Sequence, residues 1–294
     1  MLRQRLAGAA AILIPVLALF WLDHHHNGGI PGAWLVPLGL IVALIVSLEF
    51  TELLQGFPYA PPPWITAAGS VLIVGATSLP YLLNTPNRGG LFGQLGTWGW
   101  TVSASLAALI ATSCREMARF QAPGNTVARL AVTNFTMNYV GLALSFLFAL
   151  RLALPPERGL WALFSVILIT KCSDAGAYFV GKSFGRRPMT PVLSPKKTVE
   201  GAIGAIATAI VVASVAHWLL PDSGNSFLAV VLYGATLAVA GMVGDLMESL
   251  VKRDCQRKDS SKWLPGLGGL LDIFDSLLIA APIGFLWWSS GAIR

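Results

Sequence analysis

Charged residues are scarce in this chain. Asp, Glu, Lys and Arg make up 12% of its 294 residues, whereas hydrophobic residues make up 55% and the mean hydropathy is +0.67. A typical soluble domain carries about 25% charged residues, most of them on its surface. The composition therefore excludes a water-soluble globular domain and predicts an integral membrane protein.

Cysteine is also rare. Cys114, Cys172 and Cys255 lie far apart and none belongs to a CxxC pair. They predict neither a disulfide framework nor a zinc site, and we expect ordinary packing or surface residues.

Acidic residues are fewer than basic ones, which gives a formal net charge of +6. The basic residues fall in short loops between apolar runs instead of forming one patch. This distribution is typical of membrane topology, so we expect no nucleic-acid partner.

Long apolar runs account for most of the chain. A bilayer core of about 30 Å requires about 20 helical residues. Nine runs near this length predict an all-α polytopic integral membrane protein with about nine transmembrane helices. The runs lie near residues 7–22, 33–50, 64–83, 97–113, 129–151, 159–180, 200–219, 226–248 and 269–289. We expect about five spans in an N-terminal region, residues 1–158, and a catalytic transmembrane region in residues 159–294. The first run resembles a signal peptide but lacks a convincing cleavage site before Asp23, so we expect a retained anchor.

The distribution of Lys and Arg predicts the orientation. With the N-terminus inside, 15 of the 20 basic residues fall on one side of the membrane and four on the other. Cytoplasmic loops carry the excess of Lys and Arg in membrane proteins. The N-terminus and the loops after the sixth and eighth spans are therefore predicted to be cytoplasmic.

Several carboxylates lie within the predicted spans, where residues that face lipid are normally apolar. Acidic residues of the C-terminal region that lie inside or at the ends of predicted spans are Asp174, Asp245, Glu248, Asp272 and Asp275. A carboxylate at the bilayer centre costs about 2.5–3.5 kcal/mol. These residues predict a hydrated cavity, bound cations or both. Polar contacts between helices are the simpler alternative.

Helical spacing places these acids in stripes. Asp245, Glu248, Ser249 and Lys252 fall at i, i+3, i+4 and i+7 of one span, and Asp272 repeats the i, i+3 spacing with Asp275 in the last span. Carboxylate oxygens are the ligands that Mg²⁺ and Ca²⁺ prefer. The stripes therefore predict a site for a divalent cation.

A second group of polar residues lies upstream. Lys171, Asp174 and Tyr178 fall at i, i+3 and i+7 of the sixth span, and the sequence Ser194-Pro-Lys-Lys-Thr-Val-Glu-Gly201 follows in the next loop. Pro195 disfavours helix at Ser194, whereas Thr198 can cap the next helix. Lys196 and Lys197 near that helix N-terminus indicate an anion site, although a basic loop before a span is often only a topology determinant.

These blocks resemble the bacterial phosphatidate cytidylyltransferases, also called CDP-diacylglycerol synthases. The resemblance rests on Ser249-x-x-Lys-Arg, Lys258-Asp-Ser-Ser, Pro265-Gly-x-Gly-Gly269, Asp272-x-x-Asp275 and, in the same order upstream, Asp174-x-Gly-Ala-Tyr178 and residues 194–201. It covers about residues 171–276. Leu267 replaces a His, and Ile273 an Arg, that many members carry.

The resemblance implies transfer of a cytidylyl group from CTP to phosphatidic acid, giving CDP-diacylglycerol and pyrophosphate. The active site would be a cavity between the last four helices, open to the cytoplasm and the inner leaflet of the bacterial plasma membrane. The family also implies Mg²⁺, with room for a second cation, and a homodimer.

Site roles follow from the resemblance and the spacing together. The expected catalytic residues are Asp245, Asp272, Lys252, Arg253 and Asp259. The expected metal ligands are Asp245, Asp272, Glu248 and Asp275. The expected substrate- and phosphate-binding residues are Asp174, Tyr178, Ser194, Lys196, Lys197, Thr198, Glu200, Ser249, Lys258, Gly266, Gly268 and Gly269. For Asp174, an ion pair with Lys171 is an open alternative.

Two rival functions fit parts of the pattern. A sister enzyme could act on another lipid phosphate, and buried acids with glycine-broken helices also occur in ion-coupled transporters. No internal repeat is evident, and the polar residues concentrate at one end of the helices, which favours an enzyme. Glu49 and Glu52 near the end of the second span are expected to snorkel or cap, and their i, i+3 spacing leaves a site role open.

Overall fold

The computed structural model of the protein describes residues 2–82, 91–219, 224–261, 263 and 268–293, and of residues 2–12, 82 and 91–94 it describes the backbone alone. These residues form nine α-helices and one antiparallel hairpin. The helices are α1 (Leu2–His25), α2 (Leu35–Leu53), α3 (Pro63–Leu82), α4 (Leu91–Ala118), α5 (Thr126–Leu152), α6 (Pro156–Phe184), α7 (Val199–Leu219), α8 (Phe227–Asp254) and α9 (Leu271–Ser289). A 3-10 turn, Leu54–Gly56, follows α2, and the strands β1 (Pro188–Thr190) and β2 (Ser194–Thr198) lie between α6 and α7.

Seven of the described helices are long and apolar enough to cross a bilayer, namely α2, α3, α5, α6, α7, α8 and α9. The predicted all-α membrane class is therefore confirmed. Among the residues whose side chains the structure describes, α1 contributes a shorter apolar segment, Leu13–His25, and α4 is not among the seven. Gly96 interrupts α4 with a positive φ of 58°. The count of nine crossings stays a prediction.

The chain forms two compact units. The first contains Met1–Pro156 and Asp259–Leu271, and the second contains Glu157–Lys258 and Asp272–Arg294. The segment Asp259–Leu271 thus belongs with the N-terminal helices, although its sequence lies between α8 and α9. The proposed boundary at residue 158 stays a prediction.

Small residues let the helices of the first unit pack closely. Within this unit α3 lies against α2, α4 and α5. A Cβ atom at Gly39 would overlap the ring of Phe148, and one at Gly69 would overlap the side chain of Met137. Close backbone approach of this kind is how membrane helices gain van der Waals contact without a hydrophobic driving force between them.

A buried ion pair holds the connection between α1 and α2. The Arg151 Nε donates to the Asp23 carboxylate at 2.6 Å, and the same carboxylate accepts the amide of Gly32. Both charged side chains are at most 1% exposed. Arg151 therefore has a structural role that the count of basic residues did not indicate.

Glycines also let the helices of the second unit pack closely. A Cβ at Gly176 would overlap Thr208, one at Gly204 would overlap Val180, and one at Gly234 would crowd the backbone of Ala209. These positions join α6 to α7 and α7 to α8. The second unit is therefore a tightly packed group of helices that can hold polar side chains at fixed distances.

Candidate active site

Two glycines of α8 bring its backbone against α9. A Cβ at Gly244 would overlap the carbonyl oxygen of Asp275, and one at Gly241 would lie 3.6 Å from the Cβ of Ser276. Any larger residue at Gly244 would push the two helices apart. The acidic residues next to this crossing are therefore close together because the backbones touch.

The crossing assembles a cluster of three carboxylates. Asp245, Glu248 and Asp275 each offer an oxygen, and these oxygens lie within 4.8 Å of one another. Glu248 is fully buried and Asp275 is 8% exposed. The Glu248 Oε1 atom is buried and has no hydrogen-bond partner among the described residues. This donor set, with one unused buried oxygen, fits a divalent cation.

Two lysines pair with the carboxylates without neutralising them. The Lys197 Nζ lies 2.7 Å from the Asp245 carboxylate. The Lys252 Nζ is shared, at 2.6 Å from both Glu248 and Asp272. Three clustered carboxylates and Asp272 thus face two ammonium groups. Asp272, predicted as a metal ligand, is paired with Lys252 and does not belong to the cluster of three.

The residues of the sixth span form a second polar group. The Lys171 Nζ donates to Asp174 at 3.2 Å and to the Ser276 hydroxyl at 2.8 Å. The Ser276 hydroxyl in turn donates to Asp174 at 2.9 Å. The ion pair that was one alternative for Asp174 is therefore present within α6, and the Ser276 hydroxyl connects this pair to α9.

The loop after α6 folds into the hairpin, which the sequence did not predict. Pro188 pairs with Thr198 and Thr190 with Ser194. The Glu200 carboxylate accepts the amides of Arg186 and Arg187 at 3.0 and 3.2 Å, and this holds the first strand beside the start of α7. One oxygen of Glu200, Oε2, thus accepts two backbone amides, and the predicted role of Glu200 in substrate binding stays a prediction.

Thr198 caps α7, as predicted. Its hydroxyl accepts the amide of Gly201 at 3.1 Å, which satisfies one of the free N–H groups of the first turn. Glycine is required nearby, because a Cβ at Gly185 would overlap Thr198 and the carbonyl of Gly181.

Substitution of Thr198 tests this cap. Thr198→Val keeps the shape but removes the acceptor, so we expect it to lower the free energy of unfolding by about 1 kcal/mol. Thr198→Ser retains the acceptor and should behave like wild type. Thermal unfolding in detergent measures both, and equal melting temperatures for Val and Ser would exclude the cap as a source of stability.

A cavity of about 450 Å³ lies beside the hairpin and the start of α7. Its wall comes from α6, the hairpin, α7 and α8. The lining residues are Asp174, Ala177, Tyr178, Gly181, Lys182, Met189, Lys196, Lys197, Thr198, Gly201, Ala202, Met242 and Asp245. The structure thus brings together residues from three separate stretches of the sequence, 174–189, 196–202 and 242–245. Lys196 makes no ion pair with any residue the structure describes, so its charge is available to a ligand.

Lys182, Met189 and Met242 also line the cavity but were missed as site residues. The Lys182 Nζ lies 5.7 Å from the centre of the Tyr178 ring. The position of Lys182 one turn after Tyr178 was the available signal. Met189 in β1 and Met242 in α8 carried no signal, because Met commonly serves as an adaptable side chain in apolar packing.

The end of α8 contacts the hairpin tip. The Arg253 Nε donates to the Leu193 carbonyl at 3.3 Å, and its guanidinium also reaches the Arg257 carbonyl. Ser249 donates to Asp245 at 3.5 Å. Lys258 is exposed.

Burial raises the pKa of the Cys255 thiol just after α8, which keeps it protonated at neutral pH and argues against a nucleophilic role.

The glycine loop is organised by Glu49 within the first unit. The buried Glu49 carboxylate accepts the Ser261 hydroxyl at 3.0 Å and the amides of Leu270 and Leu271 at 3.1 and 2.8 Å. A Cβ at Gly269 would overlap this carboxylate and the Ser260 hydroxyl. The amides of Leu270 and Leu271 at the start of α9 are therefore already bonded to a carboxylate of the protein.

The other predicted residues of this loop have mixed outcomes. Asp259 is exposed in the first unit. Gly268 has a positive φ of 87°, a conformation that favours glycine. Gly266 and Leu267 lie outside the described residues. Phosphate binding by Gly266, Gly268 and Gly269 stays a prediction.

The family model described as the cytidylyltransferase family matches residues 3–290. The chain belongs to this family. This confirms the resemblance drawn from residues 171–276 and extends it to the N-terminal helices.

Three curated relatives of this cytidylyltransferase family member share one name. The phosphatidate cytidylyltransferase of Bacillus subtilis (strain 168) is 40% identical over 144 residues, which cover 49% of the chain and 52% of the relative. The protein of that name from Chlamydia muridarum is 41% identical over 132 residues, 44% of the chain and 43% of the relative. The one from Haemophilus influenzae is 40% identical over 134 residues, 43% and 45% respectively. The matches thus span about half the length of these relatives.

Proposed function

We propose that the protein is a membrane-bound nucleotidyltransferase that converts CTP and phosphatidic acid to CDP-diacylglycerol and pyrophosphate. The observation that carries the proposal is the cluster of Asp245, Glu248 and Asp275 beside a lysine-lined cavity. Family membership and the names of the curated relatives support it.

A divalent cation such as Mg²⁺ would be held by Asp245, Glu248 and Asp275. The unused buried Glu248 Oε1 supports this assignment, because an unpaired carboxylate oxygen is costly to bury without a cation or hydrogen bond. When bound, the cation would neutralise phosphate charge and stabilise the departing pyrophosphate. Asp272 would act on the cluster through Lys252 and would be a further carboxylate for a second cation.

Two lysines of the cavity would bind the substrate phosphates, and Lys252 and Arg253 would support the site. Lys196 and Lys197 line the cavity, so they would hold the triphosphate or the lipid phosphate. Lys252 would balance Glu248 and Asp272, and Arg253 would hold the hairpin tip at Leu193. Asp174 and Tyr178 would line the nucleotide space, whereas Ser194, Thr198 and Glu200 would shape the hairpin.

The reaction requires little acid–base chemistry. An oxygen of the phosphatidate phosphate attacks the α-phosphorus of CTP, a new P–O bond forms, and the bond to the β-phosphate oxygen breaks with its electron pair leaving on pyrophosphate. The attacking phosphate is already anionic, so charge neutralisation and alignment are the main tasks. Ser249, Lys258, Asp259 and the glycine amides are proposed as supporting contacts.

The N-terminus and the motif loops are proposed to be cytoplasmic, because 15 of the 20 basic residues fall on that side. This orientation would give the site access to CTP. A homodimer is also proposed, from the family resemblance alone.

Two labels of CTP test the reaction. Purified full-length protein in detergent micelles is given Mg²⁺, phosphatidic acid and CTP labelled either at the α-phosphate or at the γ-phosphate. We expect α-label in the lipid extract, γ-label in pyrophosphate, and neither with EDTA. Transfer of γ-label to lipid would indicate a kinase instead.

Substrate controls separate the rival functions. Diacylglycerol, which lacks the phosphate, should accept no label. Label on a polyprenyl phosphate but not on phosphatidic acid would indicate the sister enzyme. No labelled lipid with any lipid phosphate would contradict the proposal, and ion-coupled transport in proteoliposomes would then be tested.

A further inference from the structure

A second cavity, of about 690 Å³, lies in the first unit at the ends of α2, α3, α4 and α5. It shares no lining residue with the cavity of the candidate active site. Its wall includes three arginines, Arg115, Arg119 and Arg129, one carboxylate, Glu116, and the prolines 61–63. Nothing in the proposed reaction uses these residues.

A buried carboxylate fixes two of the arginines. The Arg115 Nη1 lies 2.6 Å from Glu116 Oε1, and the Arg129 Nε lies 2.8 Å from Glu116 Oε2. Glu116 is only 5% exposed, whereas the two arginine side chains are 26% and 34% exposed. One carboxylate therefore orients two guanidinium groups that keep part of their surface toward the cavity.

The third arginine adds charge that no described residue neutralises. Arg119 is exposed, lines the cavity and makes no ion pair with the residues the structure describes. Three guanidinium groups and one carboxylate leave an excess of two positive charges around this space. Gln55 and Gln121 add neutral hydrogen-bonding amides to the same wall.

Membrane orientation alone does not require this arrangement. Arginines that set topology act in any loop of the correct side and need neither a shared cavity nor a buried carboxylate to orient them. Planar guanidinium groups match the geometry of phosphate oxygens, and basic pockets at the ends of membrane helices bind lipid headgroups. The prolines 61–63 also restrict the backbone of this part of the wall, because proline fixes φ.

We propose that this cavity binds the phosphate group of an anionic ligand, at a site additional to the active site. The ligand is either the headgroup of an anionic phospholipid or a soluble phosphate compound. The inference does not depend on the proposed reaction, since it uses none of the same residues.

Arg119→Gln is the test variant because it removes the charge without exposing Glu116. Full-length wild type and variant are placed in nanodiscs of neutral phosphatidylcholine. One arm adds phosphatidylglycerol to the bilayer and counts retained lipid by native mass spectrometry. The other arm titrates inorganic phosphate and follows the melting temperature.

We expect the variant to bind about tenfold more weakly in one of the two arms, the size of one lost charge-assisted contact. That arm identifies the ligand source. Arg158→Gln, which makes the same charge change at an exposed position outside the cavity, should bind like wild type. Gln121→Glu adds a negative charge to the wall and should weaken binding in the same arm.

Unchanged binding in both arms for Arg119→Gln and Gln121→Glu would overturn the proposal. So would an equal loss in Arg158→Gln, because the effect would then follow net charge and not this cavity. Loss of cytidylyl transfer is not a readout here, so failure of the proposed reaction would leave this test intact.

Discussion

Asp245→Asn is expected to lower the rate of lipid labelling by about 10²–10³-fold, the effect of removing one preorganised electrostatic group from a reaction centre. Asp245 contributes an oxygen to the cluster with Glu248 and Asp275 and also pairs with Lys197. The amide would remove one negative charge that a cation requires and would leave Lys197 without its partner. Initial rates with labelled CTP and phosphatidic acid at several Mg²⁺ concentrations measure the loss.

Asp254→Asn is the matched control for this variant. It makes the same substitution on the same helix at an exposed position, so its rate should equal that of wild type. A comparable loss in Asp254→Asn would show that the assay reports the charge of α8 and not the cluster.

The melting temperature distinguishes a metal site from a polar contact between helices. If the cluster binds a cation, Mg²⁺ should raise the melting temperature of wild type, and Asp245→Asn should abolish that rise. In EDTA the two melting temperatures should differ less than in Mg²⁺, because relief of repulsion among three close carboxylates offsets the lost pair with Lys197. A variant that loses stability equally with and without Mg²⁺ would contradict the metal assignment.

Glu49→Gln is expected to cost about 2 kcal/mol of stability and to lower activity at least tenfold. Glu49 accepts three hydrogen bonds through its two carboxylate oxygens. Gln has an NH₂ group in place of one of these oxygens, and this group cannot accept, so at least one buried donor is left unsatisfied. Leu271, whose amide is held at 2.8 Å, directly precedes Asp272 in the chain. Release of this amide would loosen the backbone that carries Asp272.

Thermal unfolding and steady-state kinetics together test the role of Glu49. Glu157→Gln makes the same change at an exposed position in the first turn of α6 and should retain the wild-type rate. Limited proteolysis should cut the segment 259–271 faster in Glu49→Gln than in wild type. Wild-type proteolysis and activity in that variant would rule out Glu49 as a positioning residue.

The length of apolar runs predicted most helices but not where they end. The predicted span 200–219 agrees with α7, whereas α8 continues six residues beyond the predicted end at residue 248. Residues 249–254 are largely polar, and polarity ends a membrane segment without ending a helix. Apolar runs therefore locate the bilayer better than they locate helix ends.

Local spacing predicted the carboxylate cluster in part. The i, i+3 spacing placed Asp245 and Glu248 on one face of α8, and Asp275 was expected as a ligand from the last span. The structure brings these three carboxylates together. Asp272 was predicted as a metal ligand, yet it pairs with Lys252. Its partner depends on how α8 and α9 cross at Gly244, and a spacing rule within one helix carries no information about that crossing.

Contacts distant in sequence could not be predicted. Glu49 bonds to residues that are 212 to 222 positions away, and the i, i+3 relation to Glu52 was its only local signal. The hairpin was missed because strands of three and five residues have too short a pattern to recognise. Its closure depends on Glu200 reaching back to the amides of Arg186 and Arg187.

The backbone contact at Gly244 also bears on how the site responds to the surrounding lipid. Bilayers differ in thickness, and helices adapt by tilting. Helices joined through flexible side chains can tilt independently, but α8 and α9 touch through backbone at Gly244 and Asp275 and so would tilt as one body. The spacing of the carboxylates would then stay constant as membrane composition changes, which suits an enzyme whose proposed product alters that composition.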